Sequence, residues 1–288
     1  MSFPETRPTL IARLAEGSDQ TAWEQFLDDY WGPIVRFAVR IGRLPLDQAE
    51  DAASETLLVI YRSNLLSRWQ HSPTGKLRSL ICGVTRNLLA NRQRVERGRR
   101  NLLADLAEKG GAPGVLPVHD SPEPAAAHDE DIFYQAWVDE LLAQAMRAVR
   151  EQLYAEDRGD YFRALYGRVC EGLSASDIAE SLDIPVAAVE NYLRIARTRL
   201  SRTLQVAVQK QVERYSPTAD VKAEFEREWS ELGRNLDRLG GLETAIRREA
   251  GGLSRLPADA RASNSFLALR KQVSDNSSSP PGTASRID

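Results

Sequence analysis

The sequence contains few of the residues that build metal, redox or hydrolytic sites. Two of its 288 residues are cysteines, Cys82 and Cys170, and three are histidines. The cysteines lie far apart and form no Cys-x-x-Cys pair, which argues against a metal site and fits a reducing cytoplasm. No phosphate-binding glycine loop and no nucleophile-elbow motif is present. An enzyme therefore has little support in the sequence, and we expect neither a metal nor another cofactor.

Long apolar runs are also absent. The longest strongly apolar stretch is LLVIY at 57–61, far below the ~18 residues of a membrane span. The N-terminal stretch MSFPETRPTL lacks the basic segment and apolar core of a secretory signal. A chain that is 42% hydrophobic and 27% charged suits two modest globular domains with connecting segments.

Charge is nearly balanced overall, with a net of −3, but it is unevenly distributed. The stretch 86–100 contains six arginines and one acid, whereas 101–131 contains seven acids and one lysine. The second stretch is also rich in proline, glycine and alanine, which predicts a flexible acidic linker. The sequence thus favours a first domain over 1–100, with a basic end, followed by that linker.

Apolar residues recur at helical spacing on both sides of the linker, and no alternating strand pattern appears. One predicted inward stripe of the first domain consists of Trp23, Phe26, Leu27 and Tyr30. We expect a break after it, at Gly32-Pro33. The stretch SRWQHSPTGK, at 67–76, predicts a loop before a further helix that begins near Lys76.

The stretch DQAEDAASETLLVIYRS, at 47–63, predicts an amphipathic helix with an unusual outer face. Its inner stripe consists of Ala49, Ala53, Thr56, Leu57 and Ile60. The opposite face carries Asp47, Glu50, Asp51 and Glu55. Leu58 and Tyr61 lie among these acids rather than on the inner stripe. A solvated acidic face is one interpretation, and a surface for a basic partner with an apolar centre is the other.

The second predicted domain, 132–212, contains the stretch GLSASDIAESLDIPVAAVENYLRIARTRLSRTL at 172–204. Ser174 can cap a short helix, with Asp177 at the capping-box position. A turn at 183–185 follows, and Pro185 can lie near the start of a longer basic helix. The inner stripe of that helix consists of Val189, Leu193, Ala196, Leu200 and Leu204. A short helix, a turn and a longer basic helix predict a helix-turn-helix.

The segment 213–288 is a predicted C-terminal extension. Its apolar residues recur at threes and fours and predict one amphipathic helix, or two helices broken at Gly240-Gly241. They are Phe225, Trp229, Leu232, Leu236, Leu239, Leu242 and Ile246. Such a stripe has to be covered, by the chain's own domains, by self-association or by a partner. The stretch at 274–288, SDNSSSPPGTASRID, has the composition of a disordered tail.

Three segments together resemble the sigma-70 family of RNA polymerase sigma factors. DQAEDAASETLLVIY resembles the region-two helix, and GKLRSLICGVTRNLLANRQR resembles the helix that melts the promoter and reads the minus-10 element. LSASDIAESLDIPVAAVENYLRIARTRL resembles the region-four helix-turn-helix that reads the minus-35 element. Their order and short linker are similar to the extracytoplasmic-function (group four) type. The resemblance covers about 9–205 and implies an all-α fold of two small helical domains joined by a flexible acidic linker. The predicted helical C-terminal extension lies outside the shared core.

In such factors the acidic helix docks on the clamp helices of the largest polymerase subunit. The resemblance therefore implies that the polymerase-binding residues are Asp47, Glu50, Asp51, Glu55, Leu58 and Tyr61. The acids would pair with arginines of the polymerase. The two other side chains would supply the desolvated centre of the interface.

The resemblance also implies promoter contacts in both domains. The residues expected near the melted minus-10 element are Trp69, His71, Lys76, Arg78, Arg86, Asn87 and Arg94, although Trp69 could instead belong to the core. The residues expected at the minus-35 element are Ser174, Ala187, Ala188, Glu190, Asn191, Arg194, Arg197 and Arg202. Family members often have a basic, a small and another basic residue where this chain has Glu190, Asn191 and Tyr192, and Asp183 replaces the turn glycine. The family's promoter consensus is therefore not transferred. Cys82 is expected to be a packing residue.

We therefore expect a cytoplasmic bacterial sigma factor that binds polymerase core and promoter DNA, without membrane insertion and without catalysis. A free-standing helix-turn-helix transcription regulator is the alternative, but such a regulator has no need of the acidic helix. The sequence leaves open whether an anti-sigma factor exists. It also leaves open whether the C-terminal extension docks intramolecularly and regulates the rest of the chain.

Overall fold

The computed structural model describes residues 10–15, 19–71, 76–109, 127–215 and 220–252. Within these ranges the chain is all-α and contains no strand, which confirms the predicted class. The described helices are α1 (Leu10–Ala15), α2 (Gln20–Gly42), α3 (Leu46–Arg62), α4 (Leu65–His71), α5 (Leu77–Lys109), α6 (Ala127–Ala155), α7 (Gly159–Val169), α8 (Ala175–Leu182), α9 (Val186–Tyr215), α10 (Val221–Arg238) and α11 (Leu242–Gly252). None of them is both long enough and apolar enough to cross a membrane.

The chain divides into two compact units. The first unit comprises Met1–Glu140 and Gln209–Glu228, and the second comprises Leu141–Val208 and Trp229–Asp288. The start of α6 and the end of α9 therefore belong to the first unit. This partition differs from the boundaries at 132 and 212 that the sequence predicts.

The inward stripes of α1 to α5 build the core of the first unit. The predicted inner stripe of α3 is confirmed, because Ala49, Ala53, Thr56, Leu57 and Ile60 are all buried. The hydroxyl of Thr56 donates to the carbonyl of Ala52 at 2.8 Å, so this buried polar side chain is satisfied within its own helix. Three residues from distant helices complete the core, Phe133 and Ala136 of α6 and Tyr215 of α9.

The predicted break at Gly32-Pro33 is wrong, because α2 continues through both residues. A proline inside a helix removes one backbone hydrogen bond. Here Pro33 is itself buried, and core residues before and after it hold the helix in one piece. Gly32 also meets a close neighbour, since a Cβ at this position would lie 2.6 Å from the carboxyl carbon of Glu140.

Two other expectations for the first unit are wrong. Leu27, which was assigned to the inward stripe, is exposed on α2. The predicted loop at 67–76 is helical as far as His71, where α4 ends, and 72–75 lie outside the described residues. The helix expected near Lys76 is confirmed, because α5 begins at Leu77.

The predicted linker at 101–131 is helical at both ends. Helix α5 extends to Lys109 and α6 begins at Ala127, while 110–126 are not among the described residues. Ion pairs join the first part of α6 to α2 within the first unit. Arg36 Nε lies 3.0 Å from Glu140 Oε2, and Arg40 pairs with the buried Asp139. The first unit thus includes the start of α6, a helix that the sequence assigns to the linker and the second domain.

The second unit contains the predicted helix-turn-helix as α8 and α9. Ser174 caps α8 with a complete capping box, in which its Oγ accepts from Asp177 N and its backbone N–H donates to the Asp177 carboxylate. The turn places Asp183 in the left-handed region, at φ 53°. The sigma-70 family that the sequence resembles has glycine at this position, and glycine adopts such a φ without strain. The predicted inner stripe of α9 is buried from Val189 to Leu204.

Residues 220–252 of the C-terminal extension contain two helices, so the two-helix alternative is the one observed. Helix α10 ends before Gly240-Gly241, whose φ values of 85° and 94° suit glycine, and α11 follows. Leu232 and Ile246 of the apolar stripe are buried in the second unit. In the same unit Arg247 Nε donates to the carbonyl of Val169 at 2.8 Å, which ties α11 to the end of α7. The predicted disordered stretch at 274–288 lies beyond the described residues.

Candidate functional site

The residues expected to bind polymerase share the outer face of α3. All six are exposed: Asp47, Glu50, Asp51, Glu55, Leu58 and Tyr61. Leu58 is 43% exposed and Tyr61 is 53% exposed, although both lie in the same helix as the fully buried Ile60. The structure therefore brings the predicted acids and the two large apolar side chains onto one accessible surface, which we call the acidic face.

One carboxylate of the acidic face already has a cation beside it. Arg92 of α5 approaches Glu55 at 2.7 Å and also donates to the backbone carbonyl of Gln48 at 3.3 Å. Arg92 is one of the six arginines at 86–100, and these two contacts make it a brace between α5 and α3. Among the described residues, no ion pair engages Asp47, Glu50 or Asp51.

The sequence analysis missed the apolar neighbours of the acidic face. The ring of Tyr61 meets Trp23 of α2 edge-on, with the centroids 5.0 Å apart. Trp23, Leu27 and Trp31 recur every four residues along α2, and the last two are exposed. The spacing was visible in the sequence, but helical periodicity alone does not say which of two adjacent stripes is buried.

The assignment of Trp69 to the minus-10 surface is wrong. Its side chain is 5% exposed and belongs to the core of the first unit, together with Leu65 and Leu66 of the same helix. Helix α4 turns the indole inward, where the predicted loop would have left it free to stack on a base. His71 and Arg94 are exposed as expected, and a ring nitrogen of His71 lies 2.7 Å from the carbonyl oxygen of Ser67.

Lys76 and Arg78 share a single carboxylate. Arg78 Nη1 lies 2.7 Å from Glu228 Oε2, and Lys76 Nζ pairs with the other oxygen of the same group. The guanidinium of Arg78 also lies over the ring of Tyr134, 4.6 Å from its centroid. The side chain of Arg78 is 15% exposed as a result. Glu228 is 150 residues further along the chain, and no local pattern could have identified this contact.

The remaining minus-10 candidates lie on α5. Arg86 Nη1 is 3.3 Å from Asp129 Oδ2 of α6. The amide nitrogen of Asn87 is buried and has no hydrogen-bond partner among the described residues. Cys82 is fully buried, and burial raises the pKa of its thiol to about 12, with Asp129 and Glu130 adding to the effect. The expectation that Cys82 is a packing residue is confirmed.

The helix-turn-helix candidates lie on the outer surface of the second unit. Ser174, Ala187, Glu190, Asn191, Arg194 and Arg202 are exposed, and Ala188 and Arg197 are half-buried. An open concavity of about 540 Å³ is lined by Glu190, Asn191, Arg194, Arg197 and Thr198. We call it the α9 concavity. It gathers four of the eight predicted residues.

Two contacts in the α9 concavity hold its polar groups in place. Arg194 Nη2 donates to Asn191 Oδ1 at 2.8 Å, which fixes the amide with its NH₂ group directed away from Arg194. Arg197 Nη2 lies 2.6 Å from Glu243 Oε1, in the first turn of α11. Both members of this pair are about two-fifths exposed, so water screens their attraction. No local pattern pointed to Glu243, since its contact with Arg197 depends on how α11 packs.

Neither the scan against models of protein families nor the search of curated proteins finds a match. An assignment of function therefore has to be argued from the three sequence motifs and from the side-chain geometry of the two units.

Proposed function

We propose that this chain is a bacterial sigma factor of the extracytoplasmic-function type. It binds RNA polymerase core through the acidic face and directs promoter-specific initiation. The observation that carries this proposal is the exposure of Leu58 and Tyr61 among four exposed carboxylates on α3. A monomeric helix gains nothing from two large apolar side chains in that position, whereas a protein interface does.

The acidic face has the composition of a steered interface. Carboxylates at its rim attract a basic partner over a distance and set the orientation of encounter. Leu58 and Tyr61 supply apolar area that a docked partner would remove from water, and Leu27 and Trp31 are exposed on α2, which packs against α3. The brace from Arg92 to Glu55 favours one orientation of that carboxylate before binding.

The second unit supports the DNA-binding part of the proposal. The exposed start of α9 carries Ala187, which is small enough to let the helix approach a groove. Glu190 can accept a hydrogen bond from cytosine N4, and Asn191 can pair with adenine N6 and N7. Arg194 and Arg202 would contact phosphates and fix the register. In this scheme region four reads the minus-35 element as duplex, and region two in the first unit captures the melted minus-10 element.

The proposed role is binding and not catalysis. The implied partners are the clamp helices of the largest polymerase subunit and promoter DNA, and the implied location is the cytoplasm. No cofactor is required. A free-standing helix-turn-helix regulator is the competing function, and it differs in one respect that can be measured, because it does not bind polymerase core.

The decisive experiment replaces a single carboxylate of the acidic face. Asp51→Arg should lower the affinity for purified polymerase core by at least tenfold, since like charges then oppose each other across the interface. Asp51 suits this test better than Glu55, whose replacement would also break the pair with Arg92. Affinity is measured by fluorescence anisotropy of the labelled full-length chain, and activity by run-off transcription on genomic promoter fragments.

The matched control is Glu213→Arg, which makes the same charge change at an exposed position of α9 in the first unit. It should leave core affinity within about twofold. Leu58→Ala should weaken binding without any change in charge. If wild-type chain fails to bind core, or if Asp51→Arg binds as well as Glu213→Arg, the sigma-factor proposal is rejected in favour of the free-standing regulator.

A further inference from the structure

We infer that the C-terminal extension is a built-in competitor of promoter DNA. It places one carboxylate in each unit on cations that the resemblance to sigma factors assigns to DNA: Glu228 on Lys76 and Arg78, and Glu243 on Arg197. The inference rests on the proposed function for the identity of the displaced ligand. It adds a regulatory role for α10 and α11.

Glu228 occupies its site in the way a phosphate would. Its two oxygens are divided between an ammonium and a guanidinium, the two groups that proteins use most to bind phosphate. The carboxylate is also nearly buried, with Glu228 7% exposed. A buried carboxylate is costly unless cations and hydrogen bonds compensate it, so Glu228 depends on the same two side chains that DNA would need.

Two aromatic residues hold the guanidinium of Arg78 in place, and each of them is only 6% exposed. Tyr134 and Trp137 stack on each other with centroids 5.6 Å apart, and both face the guanidinium of Arg78. Buried rings of this kind offer no face to a base, so the proposed competition concerns only the cations that would follow the DNA backbone. While Glu228 holds Lys76 and Arg78, these cations are neutralised and cannot attract a phosphate at full strength.

A second ion pair, in the other unit, also places a carboxylate of the extension on a candidate DNA-binding cation. Arg197 lines the α9 concavity, and its Nε donates a hydrogen bond to Glu243 in the first turn of α11. Gly240 and Gly241 allow the chain to turn sharply into α11, so that Glu243 comes in the first turn after the break. Because the pair is partly exposed, a phosphate can displace Glu243 without unfolding the unit.

The test uses full-length variants that remove each charge with little change in shape. Glu228→Gln should raise affinity for a fluorescein-labelled single-stranded oligonucleotide about fivefold or more. The slope of log affinity against log salt should steepen by roughly one, because freed cations then release counterions from DNA. Glu243→Gln should have the corresponding effect on a labelled duplex. Both are measured by anisotropy over a salt series.

The matched controls are Glu226→Gln and Asp237→Asn, which remove one exposed charge each from α10. They should change neither affinity more than about twofold. The inference is overturned if Glu228→Gln and Glu243→Gln behave like these controls. If Glu228→Gln loses helical signal, the decision passes to Glu243→Gln, whose exposed pair can be removed without burying a new group; an unchanged duplex affinity there overturns the inference.

Core binding is measured in parallel and separates the two proposals. A chain that does not bind polymerase, but whose Glu228→Gln and Glu243→Gln variants bind DNA more tightly, supports the competitor within a free-standing regulator. A chain that binds core and initiates transcription, but whose variants match the controls, retains the sigma-factor role and loses the competitor.

Discussion

Tyr215 should be among the most sensitive positions of the first unit, although it lies at the end of a helix that begins in the second. Its ring is 6% exposed and packs edge-on against Tyr30, with centroids 5.3 Å apart. Its hydroxyl donates to Asp29 Oδ2 at 2.7 Å, and Arg214 Nη1 binds the same carboxylate at 2.9 Å. Burial raises the pKa of the Tyr215 hydroxyl, so it remains a donor at any ordinary pH.

The expected cost follows from area and hydrogen bonding. Tyr215→Ala removes about 150 Å² of buried apolar contact, which corresponds to a loss of roughly 4 kcal/mol in the free energy of unfolding. Tyr215→Phe keeps the ring and removes one hydrogen bond to a charged acceptor, for about 1.5 kcal/mol. This is the low end of the range for a hydrogen bond to a charged group, because Arg214 still donates to the Asp29 carboxylate.

Differential scanning calorimetry measures these losses as shifts of the melting temperature, and it resolves the transition of one unit where the units unfold independently. For a unit of this size each kcal/mol shifts the melting temperature by about 2–4 °C. Tyr215→Ala should therefore lower it by about 10 °C and Tyr215→Phe by about 4 °C. The exposed Tyr61→Phe is the control and should shift it by less than about 1 °C. Equal shifts for the two Tyr215 variants would refute the reasoning, since ring burial would then contribute nothing.

Two further predictions concern single side chains. Ser174→Ala should lower the free energy of unfolding of the second unit by about 1 kcal/mol, because α8 loses its capping hydrogen bonds; Ser174→Thr should retain most of it, and an equal loss in both variants would argue against a capping role. Cys82 should resist iodoacetamide at pH 8 in the native protein and react in urea, because its pKa of about 12 keeps the thiol protonated until the pH rises through that value. Mass spectrometry of the tryptic peptide measures the labelling, and rapid labelling under native conditions would contradict the assigned burial.

The elements that the sequence predicted well are those whose evidence is local. The buried stripes of α3 and α9 follow from apolar spacing alone, and the cap at Ser174 follows from one residue pair three positions apart. The turn at Asp183 was placed correctly for the same reason. Its left-handed φ could be anticipated only from the position that family members fill with glycine.

The errors arise where packing overrides a local signal. Pro33 is a strong helix breaker in isolation, yet burial on both sides of it keeps α2 continuous. Trp69 lies in a stretch rich in turn formers, but α4 extends to His71 and directs the indole into the core. Composition likewise overstated the linker, since acidic residues such as Asp129 form ion pairs with α5 in the folded chain.

The carboxylates that matter most for the candidate DNA surfaces could not have been selected from the sequence. Glu228 and Glu243 are two of eleven acids between 215 and 288, and their charge is balanced by eleven bases. Only the packing of α10 and α11 distinguishes them from Glu226 or Asp237. The balanced charge gives the extension no net electrostatic attraction to DNA, but it does not exclude local contacts of one sign.

The candidate polymerase surface and the candidate DNA surfaces differ in accessibility, and this difference has a consequence for the order of binding. The acidic face exposes three carboxylates that form no ion pair among the described residues, those of Asp47, Glu50 and Asp51. The candidate DNA-binding cations are instead paired with acids of the extension, at Lys76, Arg78 and Arg197. On the proposed function, a free chain could therefore meet polymerase without rearrangement, but it would have to exchange internal carboxylates for phosphates to bind DNA. Such an exchange is favoured when several phosphates are presented together, as they would be by promoter DNA held on polymerase. Each displaced carboxylate is then replaced by a phosphate, and counterions are released from the DNA. The internal acids would thus suppress binding of the free factor to nonspecific DNA more strongly than binding in the assembled complex, and this selectivity follows from the geometry without requiring a separate inhibitor.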